Sequence, residues 1–372
     1  MTLSERLFLT KGRPSGFDYM RIGLAAMIVL WHTVIVSYGI EAQRWLILGP
    51  SRPIWAMILP MFFSLSGFLV SGSLERSRTI VGFLGLRLIR IFPALAVEST
   101  IAMMIIGALF TYYPLPKYFT DPGFWSYTLN MIGVVRYYLP GVFTDNPTTQ
   151  VNAQLWTLPY ELYCYILISV FYIIGFYRSE KLILFGCLVM QVLVMIAIYT
   201  RTQVDEGTVR GPVLVLSFLY GAYLYRVRDR VPYSAPIFFA CAIAMVGFLY
   251  LPIFNALSAL PAAYVTIYLG MRNPTRSAIV SSGDYSYGIF LYGFPIQQAV
   301  SAVFPDLRQW WINFLISTPI IISVAYFSWH CIEKRALSLR GPLMKFESWC
   351  MSYCGKLFHT YKNSIAYDLK SR

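Results

Sequence analysis

Three polar side chains, Asp18, Arg21 and His32, interrupt the otherwise apolar segment 17–38. In an α-helix, the eleven residues from Arg21 to His32 span roughly 16 Å and end about 20° past three full turns. Both side chains therefore share one helix face. Ionisable groups in a segment long enough to cross a bilayer mark functional sites, and an imidazole can act as a general base. The alternative is an interfacial arginine and a hydrogen-bonded core histidine.

A second candidate is the pair Arg87 and Arg90, in the motif RLIR. An i,i+3 spacing puts both guanidinium groups on one side of a helix. Arginine binds phosphate through a planar fork, so this pair is suited to a phosphorylated ligand. We interpret the surrounding segment as a basic loop on the inner side of the membrane. The alternative is that these arginines only anchor the neighbouring helices at the interface.

The third candidate is Glu161, in the segment QLWTLPYELYCYILI. It lies about seven residues inside an apolar segment, and a carboxylate there requires a partner. At about 1.5 Å per residue, Glu161 and His32 are each roughly 10 Å below the outer end of their helices. We therefore predict that Glu161 orients or electrostatically supports His32, directly or through water. Trp156 and Tyr160 precede this carboxylate in the sequence. Their aromatic rings are candidates to pack against the face of a sugar ring, although aromatic residues also form belts at the membrane interface.

These residues require membrane-spanning helices to position them. The chain has 372 residues, of which 57% are hydrophobic and only 13% charged, and its mean hydropathy is +0.58. About 25% charged residues is usual in a soluble protein. The pattern predicts an all-α polytopic membrane protein with about ten spans. They lie near 17–39, 53–72, 92–112, 155–177, 181–199, 211–226, 234–252, 257–271, 284–304 and 310–332.

The net charge of +13 follows the predicted topology. Most Lys and Arg residues fall in alternate connecting segments and in the tail, which the positive-inside rule assigns to the cytoplasm together with both termini. The charge does not form one basic face, so it does not indicate nucleic-acid binding. We divide the chain into a transmembrane domain, 1–340, and a basic, aromatic tail, 341–372, suited to the anionic inner leaflet.

Six short motifs, each weak alone, occur in an order that resembles the acyltransferase-3 family of membrane O-acyltransferases. The first is the Asp, Arg and His pattern of the first span. The Trp-Ser-Leu-x-x-Glu motif has Thr157 in place of its serine. The motifs correspond to Asp18, Arg21 and His32; to Phe63–Phe68; to Arg87 and Arg90; to Trp156–Glu161; to Ser286–Pro295; and to Glu333 with Lys334.

The resemblance implies transfer of an acyl group, usually acetyl from acetyl-CoA, to a hydroxyl of an envelope or exported glycan such as lipopolysaccharide or exopolysaccharide. It implies a bacterial inner-membrane protein whose partners are a glycan or lipid-linked glycan and membrane lipid, with no metal. Asp18 gives structural support. We assign His32 and Glu161 to catalysis; Arg21, Arg87, Arg90, Ser66, Gly67 and Phe68 to the donor; and Trp156, Tyr160, Tyr292 and Gln297 to the acceptor.

The sequence departs from the family at Gly293, where many members have a histidine. This leaves His32 as the only histidine deep in a predicted span. Some relatives also have an esterase-like domain after the last span, and we expect none in the segment 341–372. A different class remains open: a transporter with His32 and Glu161 as a proton relay. The absence of an internal repeat and the clustered arginines favour the acyltransferase.

Overall fold

The computed structural model describes residues 1–12, 14–77, 79–200, 209–345 and 347–348, which are almost entirely helical. Their only β pairing is two isolated bridges, Thr2 with Pro232 and Thr111 with Val142. The predicted all-α class is therefore confirmed. Most of the predicted tail lies outside the described residues.

Ten helices correspond in order to the ten predicted apolar segments. They are α1 Gly16–Tyr38, α2 Ile58–Arg76, α3 Ile80–Ile101, α4 Leu158–Ile173, α5 Glu180–Thr200, α6 Gly211–Arg226, α7 Ala235–Tyr250, α8 Ala259–Gly270, α9 Ser286–Val303 and α10 Trp310–Ser328. Short helical segments of α, 3₁₀ or π type flank or connect them. These are Leu3–Leu9, Ile40–Leu48, Arg52–Ala56, Ala102–Ile106, Gly107–Phe110, Leu115–Thr120, Pro122–Tyr127, Thr128–Ile132, Ala153–Thr157, Phe176–Arg178, Pro252–Ser258, Ala278–Ser282, Pro305–Leu307, Trp329–Glu333 and Lys334–Ser338.

Seven helical stretches of the described chain are long and apolar enough to cross a membrane, so the protein is polytopic. The other three predicted spans, which became α6, α7 and α9, are shorter or less apolar. The number of crossings and the side of the termini therefore stay predictions. The seven stretches are Gly16–Tyr38, Arg52–Arg76, Ile80–Phe110, Ala153–Ile173, Glu180–Thr200, Pro252–Gly270 and Trp310–Lys345.

The third helix begins much earlier than predicted, at Ile80, and this corrects the interpretation of the RLIR motif as a loop. The side chain of Thr79 caps the helix by accepting a hydrogen bond from the backbone N–H of Gly82 at 3.0 Å. Such a cap satisfies one of the donors that a helix start leaves free. Arg87 and Arg90 therefore lie inside a continuous helix, whose geometry holds both on one side.

The most extensive helix contact joins α2 and α6, because glycine allows their backbones to approach closely. A Cβ atom on Gly67 would lie 2.0 Å from the carbonyl oxygen of Phe218. Across the same contact, a Cβ on Gly221 would lie 2.1 Å from the carbonyl oxygen of Ser64. Small residues allow this packing between helices in a membrane. The backbones of α2 and α6 thus approach closely at Gly67.

We expect the substitution Gly67→Leu to separate α2 from α6 and to abolish activity. Overpacking of a dense core typically costs about 1–3 kcal/mol, and here the obstacle is backbone that no side-chain rotation can remove. Thermal stability and transfer activity should be measured on the membrane-inserted variant. The matched control is Gly247→Leu in α7, where an added Cβ meets nothing within 4 Å. Equal activity of the two variants would contradict this explanation.

Candidate active site

Two cavities adjoin along α1, and we name them by their polar residues. The basic cavity contains the side chains of Arg21, Arg87 and Arg90, and the histidine cavity contains His32. Their volumes are about 100 Å³ and 290 Å³. Because α1 is one unbroken helix, Arg21 and His32 remain separated by roughly 16 Å along its axis.

Two of the three arginines in the basic cavity are bound to the same carboxylate. Asp284 Oδ2 lies 2.9 Å from Nη1 of Arg21 and 2.6 Å from Nη2 of Arg90. Arg90 also lies 3.5 Å from the buried carboxylate of Glu333, which follows α10 in a π-helical turn. Asp284 thus joins the start of α1, the middle of α3 and the start of α9. This cluster positions Arg90 and partly neutralises the cavity.

Arg87 differs from its neighbours because its guanidinium has no carboxylate partner among the described residues. Nη2 of Arg87 donates a hydrogen bond to the hydroxyl of Ser73 at 2.7 Å. Its Nε is buried without a hydrogen-bond partner in the described part of the chain. A buried donor without a partner costs free energy, and a charged donor costs more. Arg87 is therefore the cation best placed to bind an anionic ligand.

Glu161 lies in the basic cavity and not in the histidine cavity. Its carboxylate accepts a hydrogen bond from the hydroxyl of Tyr165, one turn further along α4. His32 makes no hydrogen bond to any described residue, so the direct contact predicted between these two side chains is not observed. A contact through water stays a prediction. Glu161 instead lies beside the arginines.

The substitution Glu161→Gln is expected to lower turnover more than it weakens donor binding. Removing a negative charge from a cavity lined by arginines does not weaken the binding of an anion, and the amide oxygen still accepts from Tyr165. The measurement is kcat and the donor KM for this variant. Tyr165→Phe, which removes the hydroxyl but leaves the carboxylate, is the control. A donor KM that rises more than kcat falls in Glu161→Gln would contradict this role.

The histidine cavity is lined mainly by aromatic and aliphatic side chains. His32 is half-buried, and the edge of its ring packs against Phe294 with a centroid distance of 5.1 Å. Trp156, Trp31 and Trp55 line this cavity, and the assignment of Trp156 to the acceptor stays a prediction. Amide side chains contribute the remaining polarity. The glutamines are Gln43, Gln150 and Gln154.

The two cavities share part of their lining. Ile28, Leu59, Thr157 and Phe290 border both. Thr157, which precedes Glu161 by four residues, thus borders the cavity of each predicted catalytic residue. The shared border is apolar except for one hydroxyl. The two cavities therefore adjoin at this border.

The other predicted site residues are divided between cavity and core. Ser66 lines the basic cavity, whereas Gly67 packs against α6 and Phe68 is buried against the ring of Phe17 at 5.6 Å. Tyr160, Tyr292 and Gln297 line neither cavity. Asp18 lies 3.2 Å from Arg276 in an ion pair, in keeping with the structural role assigned to it.

Gln297 and Tyr292 are held inside the bundle. Gln297 is fully buried, and its Nε2 donates to the backbone carbonyl of Val29 at 2.8 Å. Tyr292 is also buried. Gln297 thus contacts α1, and Tyr292 belongs to the main hydrophobic core of the bundle. Their assignment to the acceptor stays a prediction, and these contacts give Gln297 a role in packing.

Gly293 lies where α9 contacts α1. A Cβ atom at this position would lie 3.2 Å from the side chain of Val29, three residues before His32. The position at which many family members have histidine therefore faces the helix that carries His32.

Two carboxylates that the structure places at or near the cavities were not among the site residues predicted from the sequence. Asp284 binds two of the cavity arginines. Glu98, buried in α3, was not considered. The pattern that identified Glu161, a lone carboxylate within an apolar segment, also applies to Glu98. Among the described residues, no group of three or more His, Cys, Asp or Glu side chains could hold a metal ion.

Comparison with known proteins identifies the family of this chain. A family model described as an acyltransferase domain matches residues 15–331. An O-acetyl transferase of Shigella phage Sf6 is 24% identical over 352 residues, which cover 89% of this chain and 98% of the relative. Nodulation protein 10 of Rhizobium leguminosarum bv. viciae is 25% identical over 376 residues, covering 90% and 96%. No solved structure matches significantly. Because the family model covers most of the chain, this protein belongs to the acyltransferase-3 family and is a membrane O-acyltransferase.

Proposed function

We propose that the protein transfers an acetyl group from acetyl-CoA, on the cytoplasmic side of a bacterial inner membrane, to a hydroxyl of an envelope or exported glycan. The observation that carries this proposal is the pair of adjoining cavities. One has the arginines needed for a phosphorylated donor, and the other has the only histidine within a described spanning helix that lines a cavity. A relative named as an O-acetyl transferase supports acetyl as the group transferred.

The donor occupies the basic cavity. Coenzyme A is anionic through its phosphates, and guanidinium groups bind phosphate with charge-assisted hydrogen bonds. Arg87 supplies a charge that is in no ion pair within the described chain, while Asp284 holds Arg21 and Arg90 in place. Acetyl-CoA supplies the activated acyl group as a thioester. The residues of the cavity bind and orient it.

The acceptor occupies the histidine cavity. Aromatic side chains that line its wall present flat apolar faces, which suit the apolar face of a sugar ring, and the amides can bind hydroxyl groups. Trp31, Trp55 and Trp156 supply these faces. Entry from the outer side agrees with a lipid-linked or growing glycan, so the two substrates approach from opposite sides of the membrane.

His32 is the proposed general base. Its imidazole accepts the proton of the acceptor hydroxyl, which makes that oxygen a stronger nucleophile. A neutral imidazole suits this role because one of its ring nitrogens is a hydrogen-bond acceptor. Among the described residues, His32 is the only imidazole that lines either of these two cavities.

The transporter hypothesis uses the same two cavities as a transport path. Membership of the acyltransferase family argues against it. The deciding experiment supplies radiolabelled acetyl-CoA to membranes from cells with and without the gene and measures label in the glycan fraction. We expect gene-dependent label in an alkali-labile ester. Labelling that does not depend on the gene would overturn the proposed reaction.

A further inference from the structure

The wall of the histidine cavity contains an amide that the family motifs do not include. Gln154 is 1% exposed overall but lines the cavity that contains His32. Its Oε1 is buried with no hydrogen-bond partner among the described residues. Buried polar atoms are nearly always paired, so an unpaired acceptor in the wall of a ligand cavity points to a donor supplied by the ligand.

The orientation of this amide follows from its neighbours. Nε2 of Gln154 donates to the backbone carbonyl of Leu291 at 2.7 Å and to Oδ1 of Asn152 at 3.3 Å. A backbone carbonyl can only accept. Rotating the amide by 180° would direct Oε1 at two acceptors and leave both N–H groups unpaired. The oxygen of Gln154 is therefore the atom of this amide that has no partner among the described residues.

Asn152 is oriented in turn by a buried carboxylate. Its Nδ2 donates to Oε1 of Glu98 at 2.9 Å and contacts the hydroxyl of Tyr127 at 2.5 Å. Glu98 and Tyr127 are at most 1% exposed, and Asn152 is fully buried. Because the amino group of Asn152 donates to Glu98, its Oδ1 is turned towards the amino group of Gln154. Glu98, Asn152 and Gln154 thus form an ordered relay from α3 to the cavity.

We propose that Oε1 of Gln154 accepts a hydrogen bond from a hydroxyl of the bound acceptor, and that Glu98 acts through Asn152 as a positioning residue for it. This inference rests on the proposed function and deepens it, because it assigns an acceptor-binding residue in the cavity of His32. The ligand class is a polyol such as a sugar, whose hydroxyl groups are the donors that the site lacks. No bond is made or broken by Gln154.

The test compares Gln154→Met, which keeps the length of the side chain but removes its oxygen, with the wild-type protein. The acceptor probe is the glycan fraction of a strain that lacks the gene, titrated against fixed labelled acetyl-CoA. One neutral hydrogen bond corresponds to a roughly 3- to 10-fold rise in the acceptor KM. The donor KM and acceptor-independent hydrolysis of acetyl-CoA should be unchanged. Gln191→Met in α5, whose amide binds Tyr220 away from both cavities, is the matched control.

The role of Glu98 is tested by two further variants. Glu98→Gln keeps an acceptor for Asn152 and should change the acceptor KM little. Glu98→Leu removes that acceptor, frees the amides to rotate and should raise the acceptor KM as Gln154→Met does. Because the two residues act through one relay, the double variant should be no worse than Glu98→Leu alone.

An unchanged acceptor KM in Gln154→Met would overturn this inference, as would an equal loss of both donor and acceptor affinity. If Glu98→Leu does not fold, Gln154→Met still decides the point. Wild-type membranes that transfer no label to the glycan would instead overturn the proposed function itself, and the inference with it. The wild-type result therefore separates the two failures.

Discussion

His32→Ala should reduce acyl transfer by roughly 10²- to 10⁴-fold, the usual contribution of a general base. The alanine removes the only imidazole of the described chain that lines either cavity. The affinity for the donor should change little, because the arginines lie in the adjoining cavity. The measurement is kcat and the donor KM in membranes that contain equal amounts of each protein.

The matched control is His330→Ala. His330 follows α10, packs against the ring of Tyr326 at a centroid distance of 4.3 Å and lines neither cavity. It should keep most of the activity. A His32→Ala protein that retains full kcat would exclude this residue as the base, whereas equal losses in the two variants would indicate a general effect on packing.

Arg87→Ala should give the second large effect, a rise in the donor KM. A hydrogen bond to a charged group contributes about 1.5–3 kcal/mol, which corresponds to a roughly 10- to 100-fold change. Arg87→Lys should recover only part of this affinity, because an ammonium lacks the planar fork of the guanidinium. The measurement is the KM for acetyl-CoA at a saturating concentration of the acceptor glycan.

Arg90→Ala should behave differently from Arg87→Ala. It leaves the carboxylates of Asp284 and Glu333 without this partner, and breaking a buried ion pair costs about 3–5 kcal/mol. We therefore expect Arg90→Ala to lower the thermal stability and also to weaken donor binding. The double variant, which combines Arg87→Ala and Arg90→Ala, should show both losses. Arg230→Ala is the control, since Arg230 is 77% exposed in its ion pair with Glu180. An unchanged donor KM in the double variant would remove the basic cavity as the donor site.

The sequence determined the features that depend on local geometry. The apolar segments, the shared face of Arg21 and His32, and the pairing of Arg87 with Arg90 along a helix follow from the period of the α-helix and the length needed to cross a bilayer. The order of the motifs was sufficient to indicate the family. The predicted start of α3 was wrong, because the early turns of that helix contain arginines and a hydropathy pattern assigns such residues to a loop.

The tertiary structure decided which residues from different helices meet. Asp284 joins Arg21 and Arg90 across three helices, Glu161 lies beside the arginines, and Gly67 packs against the backbone of α6. The depth of a residue along its helix can be counted from the sequence, but the direction in which it faces its neighbours cannot.

The relay from Glu98 to Gln154 also depends on contacts that the sequence does not show. A lone carboxylate in an apolar segment indicates that a partner exists, and the sequence supplies that much. The partner is Asn152, from a segment more than fifty residues away along the chain. Which helices lie side by side depends on the packing of the whole bundle, because small residues such as Gly67 and Gly221 set how closely the backbones approach. Local periodicity acts within one helix, whereas this packing is a property of all of them together.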